Sequence, residues 1–176
     1  MPSPRVELEI GLGAETWGKI VVELNDEKAP ISTKNFLAYV DSGFFDGTVF
    51  HRVIPTFMIQ GGGFTEKNEQ KRTGLLKSIQ NEAKNGLKNK QYSIAMARTG
   101  DPHSATSQFF INVSDNDFLN YPGQDGWGYC VFGQVVQGME IVERIKNVPT
   151  KRNPQMGENS APVNPPVIMS ARRVMS

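Results

Sequence analysis

Short β-type runs, each closed off by glycine, proline or asparagine, recur along almost the whole chain, and this rhythm limits the fold more than any other feature. Arg5 to Ile10 reads RVELEI and Lys19 to Leu24 reads KIVVEL, with Gly11 and Gly13 between them in the pattern of a hairpin. Phe50 to Gln60, Tyr92 to Ala97, Phe109 to Val113 and Tyr129 to Val136 are further apolar or β-branched runs, and Pro165 to Val174 closes the series. Two stretches read as short helices. One follows Lys28, with Pro30 near its first turn and Gly43 placed to end it. The other spans Gly138 to Val148, where Met139, Ile141, Val142 and Ile145 share one helical face. Many strands, two helices, 17 glycines and 11 prolines predict a mainly β protein, an antiparallel barrel or sandwich. Both need the same alternation, so periodicity alone does not choose between them.

A chain of 176 residues buries a full core without metal or disulfide support, so a single domain over 1–176 is expected. Lys plus Arg total 19 and Asp plus Glu 18, which leaves no global field to draw the chain onto nucleic acid or an anionic membrane. Cys130 is the only cysteine; it forms no internal disulfide and no thiolate metal site by itself. The N-terminal stretch MPSPRVELEIGLGAETWGK has no long apolar segment behind a basic one, and no run approaches the ~20 apolar residues of a membrane span. A cytoplasmic, monomeric protein is the expectation. Asn112-Val-Ser114 matches a glycosylation sequon, which is inert without secretion.

Thr65 to Lys90 and Asn116 to Gly128 are irregular and read as surface loops; Lys151 to Asn164 reads as a polar segment without assigned purpose. Neither histidine has a convincing catalytic partner set. His51, inside an apolar run, reads as a hydrogen-bonded residue in or beside the core, and His103 as a solvated turn residue. Gly61 to Gly63 lack the GK[ST] ending of a phosphate loop and read as a tight backbone bend. No metal-ligand spacing or cofactor motif occurs, and none is expected to be needed. The anomaly is Arg52, a cation among Val53, Ile54, Phe57, Met58 and Ile59. On base rates such an arginine keeps its head in water at a strand edge.

The segment FHRVIPTFMIQGGGF, Phe50 to Phe64, closely resembles the long cyclophilin signature, and SQFFINV at Ser107 to Val113 resembles a second. The resemblance extends through IAMAR at Ile94 to Arg98 and YCVFGQVVQGMEIVERI at Tyr129 to Ile145, so nearly the whole chain is covered. It implies a closed eight-stranded antiparallel β-barrel with two short α-helices and peptidyl-prolyl cis-trans isomerase activity. Carried over by motif position, Arg52 and Gln60 would be catalytic. Phe57, Met58, Phe110 and Leu119 would line a proline pocket, and Ala97, Arg98 and Gln108 would border the groove. For Phe57, Met58 and Phe110 taken singly, core packing is the commoner fate. Phe118 stands where eukaryotic members have a rim Trp, and Tyr129 where they have a His; the loop FLNYPGQDGWGYCVFG is similar to bacterial cytosolic members. A phenyl ring cannot replace the indole N–H, so cyclosporin binding is expected to be weak.

The implied partners are proline-containing peptides and unfolded or flexible protein segments. Two other readings compete. The groove of a chaperone or scaffold would hold proline segments with rotation incidental, and a small-ligand carrier would need an unfilled barrel interior. Arg52, Phe57, Gln60 and Phe110 together favour catalysis, because a pure binder could lose the arginine and keep the pocket.

Overall fold

A computed structural model of the chain describes residues 3–174; residues 1, 2, 175 and 176 of the expected 1–176 domain lie outside the described residues. The chain opens with β1 (Arg5–Leu12) and β2 (Glu15–Leu24), a hairpin whose β1 alternates as the sequence predicts. Val6, Leu8 and Ile10 point inward and are fully buried. Then come α1 (Pro30–Asp41), β3 (Thr48–Ile54), β4 (Met58–Thr65), β5 (Ser93–Met96), β6 (Phe109–Asn112), β7 (Val131–Gln137) and α2 (Met139–Lys146). The chain ends with β8 (Thr150–Asn153), β9 (Glu158–Pro162) and β10 (Val167–Val174).

Eight strands close into an antiparallel barrel in the order β1, β10, β3, β4, β6, β5, β7, β2, which settles barrel over sandwich. Closure pairs every strand on both sides and removes exposed sheet edges. The interior is a packed core rather than a lumen. Phe36, Phe45, Phe109 and Phe132 form its centre, with Phe36 and Phe109 edge to face at 5.4 Å. Both helices contribute to this same cluster: α1 through Phe36, Tyr39 and Val40, and α2 through the predicted face of Ile141, Val142 and Ile145, with Met139 partly buried. Pro30 starts α1, and Gly43, at a φ of 73°, follows its end.

Two of the irregular segments have more structure than the sequence predicts. Within Thr65 to Lys90, Asn81, Ala83 and Asn89 are buried. Glu82 of this loop caps α1, accepting from Ser32 N at 2.7 Å and Ile31 N at 3.2 Å, where the helix has no side-chain cap of its own. Lys151 to Asn164 is the second departure: β8 and β9 form an antiparallel hairpin outside the barrel, packed against β3. Among the described residues no helix is long and apolar enough to cross a membrane.

Candidate active site

Arg52 and Gln60 meet through irregular pairing between β3 and β4. Phe50 pairs with Gly61 and Arg52 with Gln60, which leaves His51 unmatched; Val49 pairs with Phe64, which leaves Gly62 and Gly63 unmatched. Extra residues bend a ladder and re-aim its side chains. His51 and Arg52, though adjacent, are therefore both only half-buried, while Val53 returns to the core. The glycine bend expected after a strand is thus a bulge within one. Gly62 has a φ of 88°, and a Cβ there would lie 2.8 Å from the Phe109 ring. A Cβ on Gly63 would collide with the Gln108 side chain, so its absence makes room for Gln108.

That room completes a polar chain. Gln60 Nε2 donates to Gln108 Oε1 at 3.0 Å, and Gln60 Oε1 accepts from Arg52 Nη1 at 3.3 Å. The other edge of the guanidinium belongs to Glu158 on β9: Nε donates to Oε2 at 2.8 Å and Nη2 to Oε1 at 3.1 Å. Arg52 beside it holds the Glu158 carboxyl below the usual carboxylate range. Three of the five guanidinium hydrogens are engaged. One on Nη1 and one on Nη2 have no partner among the described residues.

Beside this fork lies an apolar surface on the outside of the barrel. Strand alternation sends Ile59, Ile111 and Ile94 inward and their neighbours Met58, Phe110 and Ala95 outward. Met58, Ala97, Phe110 and Leu119 are buried in this second cluster with Ala95 and Val131, and Phe57 and Tyr129 pack against it. Gln60 pairs with Phe110, so the polar chain and the apolar wall share one row of the sheet. Phe57 approaches the Arg52 guanidinium at 6.0 Å and stacks on Phe118 at 5.6 Å, and Phe110 meets Tyr129 edge to face at 5.8 Å. Phe118 is 54% exposed and forms the outer rim.

Ten of the eleven site residues read from the sequence gather here. Arg98 differs in presentation: its side chain is 3% exposed, and it donates to Gly128 O from Nε at 3.1 Å and from Nη2 at 2.9 Å. It also reaches Asp125 Oδ2 at 2.5 Å and lies 4.3 Å from the Tyr129 ring centre. It thus secures the rim loop from beneath. Backbone N–H of Gly128, then Arg98, then Trp127 N–H push the Asp125 carboxyl down to about 2. His103 is not merely solvated: its Nδ1 accepts from Asn81 N at 3.1 Å, and its ring meets Trp127 at 4.5 Å. His51 lies 4.4 Å from Phe64, and its buried Nδ1 has no hydrogen-bond partner among the described residues, contrary to the hydrogen-bonded expectation.

Sequence reasoning missed Glu158 and an asparagine lace behind the pocket. Asn112 Nδ2 donates to Asn89 Oδ1 at 3.0 Å and Ser93 Oγ at 2.9 Å, and its Oδ1 accepts from Asn116 Nδ2 at 2.7 Å. Asn116 Nδ2 also donates to Phe57 O at 2.8 Å, which ties the Phe57 turn to the rim loop. A half-buried arginine needs an acid, which was the available signal for Glu158; 18 acids competed for the part. Cys130 is buried beside Ser32 Oγ at 3.4 Å, and burial pushes its thiol up to about 11, far from a reactive thiolate. Among the described residues no group of three or more His, Cys, Asp or Glu is placed to hold a metal ion.

A closed eight-stranded barrel that carries a fixed guanidinium beside an apolar surface on its outer wall is the arrangement that the resemblance to cyclophilins implies. The family model for cyclophilin type peptidyl-prolyl cis-trans isomerase/CLD matches residues 7–173. Peptidyl-prolyl cis-trans isomerase cyp18 of Streptomyces antibioticus is 59% identical over 157 residues, 88% of this chain and 92% of that protein. Peptidyl-prolyl cis-trans isomerase B of Escherichia coli (strain K12) is 58% identical over 138 residues, 77% of this chain and 83% of that protein. Peptidyl-prolyl cis-trans isomerase A of Dickeya dadantii (strain 3937) is 54% identical over 156 residues, 88% of this chain and 79% of that protein. The chain belongs to the cyclophilin-type peptidyl-prolyl cis-trans isomerase family, and it is an enzyme that interconverts the cis and trans forms of X-Pro peptide bonds in proline-containing peptides.

Proposed function

We propose that Arg52 accelerates rotation about the X-Pro bond by favouring the twisted amide over the planar one. Rotation breaks amide resonance, a barrier of roughly 18–20 kcal/mol. In the twisted state the proline nitrogen becomes pyramidal and recovers its lone pair, so a fixed donor beside it binds that state better than the ground state. The observation that carries this reading is the guanidinium held on three hydrogens with one on Nη1 and one on Nη2 left over, beside the apolar cluster. Met58, Phe110 and Leu119 hold the pyrrolidine ring while the N-terminal side turns. Gln60 orients Arg52, and Gln108 steadies Gln60. Ala97, Phe57, Phe118 and Tyr129 shape the groove, and Arg98 keeps its rim in place. The surrounding apolar side chains lower the local dielectric and strengthen the donor contact. No bond is broken, so neither nucleophile nor general base takes part.

Arg52→Ala is expected to lower kcat/KM about hundredfold, the usual loss for one preorganised donor. Its melting temperature should stay near wild type, because the side chain lies outside the core cluster. A protease-coupled assay on a Pro-containing tetrapeptide reads the first and thermal unfolding the second; unaltered activity removes Arg52 from the mechanism.

Flexible or unfolded protein segments are the natural substrates, since an extended chain must lie across the groove. We read the chain as one monomeric domain, because the barrel draws strands from Arg5 through Val174 and both helices feed one core. The buried free thiol of Cys130 suits a reducing cytoplasm. Cyclosporin binding is weak because Phe118 offers no donor at the rim.

A further inference from the structure

We propose that Glu158 is a positioning residue of this active site: by gripping the Nε and Nη2 edge of Arg52 it fixes the plane of the guanidinium and aims the remaining hydrogens at the rotating amide. This role rests on Arg52 being the catalytic donor. Gln60 alone holds Arg52 loosely, through a single long contact at 3.3 Å to an uncharged amide oxygen. Glu158 supplies two charge-assisted contacts at 2.8 and 3.1 Å, the side-on geometry that a planar fork and a carboxylate share. A long arginine side chain free to rotate would meet the amide in many orientations, and only one of them places a donor at the nitrogen.

Glu158 is itself well placed to do this. It opens β9 opposite Asn153 at the end of β8, and the turn between them is tightly bonded. Asn153 Oδ1 accepts from Gln155 N at 2.9 Å and Met156 N at 3.2 Å, while Asn153 O accepts from Gly157 N at 2.8 Å. β9 packs on β3, the strand that carries Arg52, and Ser160 two residues on is fully buried. A plain stabilising role fits less well. The Arg52 and Glu158 side chains are 23% and 27% exposed, so water still screens the pair and limits what it adds to stability. The hairpin also lies outside the barrel and adds no strand to it.

The test compares Glu158→Gln, which keeps shape but not charge, and Glu158→Ala with wild type and Arg52→Ala. Steady-state kinetics on a Pro-containing tetrapeptide should show kcat down about tenfold in Glu158→Gln, with KM within about twofold, as befits a misaimed group. The Arg52 Nε–Hε resonance should exchange with water faster than in wild type while the melting temperature stays unchanged, a combination that a loosened hairpin does not produce. If both Glu158 variants keep kcat within about twofold while Arg52→Ala is inactive, Glu158 has no positioning role and the Arg52 mechanism stands. A loss confined to KM would exclude the positioning role in the same way. If Arg52→Ala is fully active, the mechanism itself fails and the role of Glu158 with it. Should Glu158→Ala unfold, Glu158→Gln decides.

Discussion

His51 and Arg52 sit side by side on one bulge, yet water, packing and charge treat them oppositely. Arg52 has a carboxylate to itself, whereas burial, reinforced by the Arg52 charge, pushes His51 down to about 4. The unfolded chain takes up this proton near pH 6.5, and the folded one only near 4. The penalty on stability is therefore absent above 6.5, grows as pH falls through that window, and is complete below 4. The full shift corresponds to about 3 kcal/mol, and partial exposure of the ring trims it to roughly 2 kcal/mol. Urea midpoints measured at pH 7 and pH 4.5 should show this loss in wild type and a smaller one in His51→Gln; equal losses would clear His51. Phe118 carries a second expectation. It is 54% exposed and stacked on Phe57, so a larger ring has space. Phe118→Trp restores an N–H donor and should raise cyclosporin affinity at least about tenfold by calorimetry, as one good hydrogen bond does. Nanomolar binding by the wild type would contradict the reading of this rim.

Among the elements, the loops hold the pocket and the strands merely present it. Asn112 at the end of β6 is fully buried and bonded to Asn89, Ser93 and Asn116, which in turn holds the Phe57 carbonyl. Asn112→Ala strands several buried polar groups and should cost about 3 kcal/mol, or roughly 10 °C in Tm. It should also lower kcat/KM as the Phe57 turn loosens; an unchanged Tm would show that water replaces the amide at no cost. None of this could be read from the sequence, where asparagine in an aperiodic stretch signals a turn and not a buried bond. The same holds for Glu82, whose cap on α1 spans about fifty residues of chain. By contrast, the α2 face and the β1 alternation were legible because period and burial coincide there. Phe50 to Gln60 read as one run because Pro55 and Thr56, which turn the chain between β3 and β4, are flanked by apolar residues on both sides.

For the molecule as a whole, the barrel came from the family resemblance and not from periodicity, since closure is a property of pairing between distant strands such as β1 and β10. The ten residues carried over by motif position are brought together by several devices, strand alternation for Met58 and Phe110 and the irregular β3–β4 pairing for Arg52. Glu158 was not legible, because its link to Arg52 spans 106 residues and its segment has no pattern. Catalysis and mere capture of proline segments would use the same groove, and on-enzyme exchange separates them. Two-dimensional exchange NMR of a Pro-containing peptide, at concentrations that saturate both wild type and Arg52→Ala, reads rotation of the bound X-Pro bond directly. If Arg52 is the donor that favours the twisted amide, bound-state exchange falls about hundredfold in the variant while the peptide still binds. Exchange at the wild-type rate in bound Arg52→Ala would contradict it.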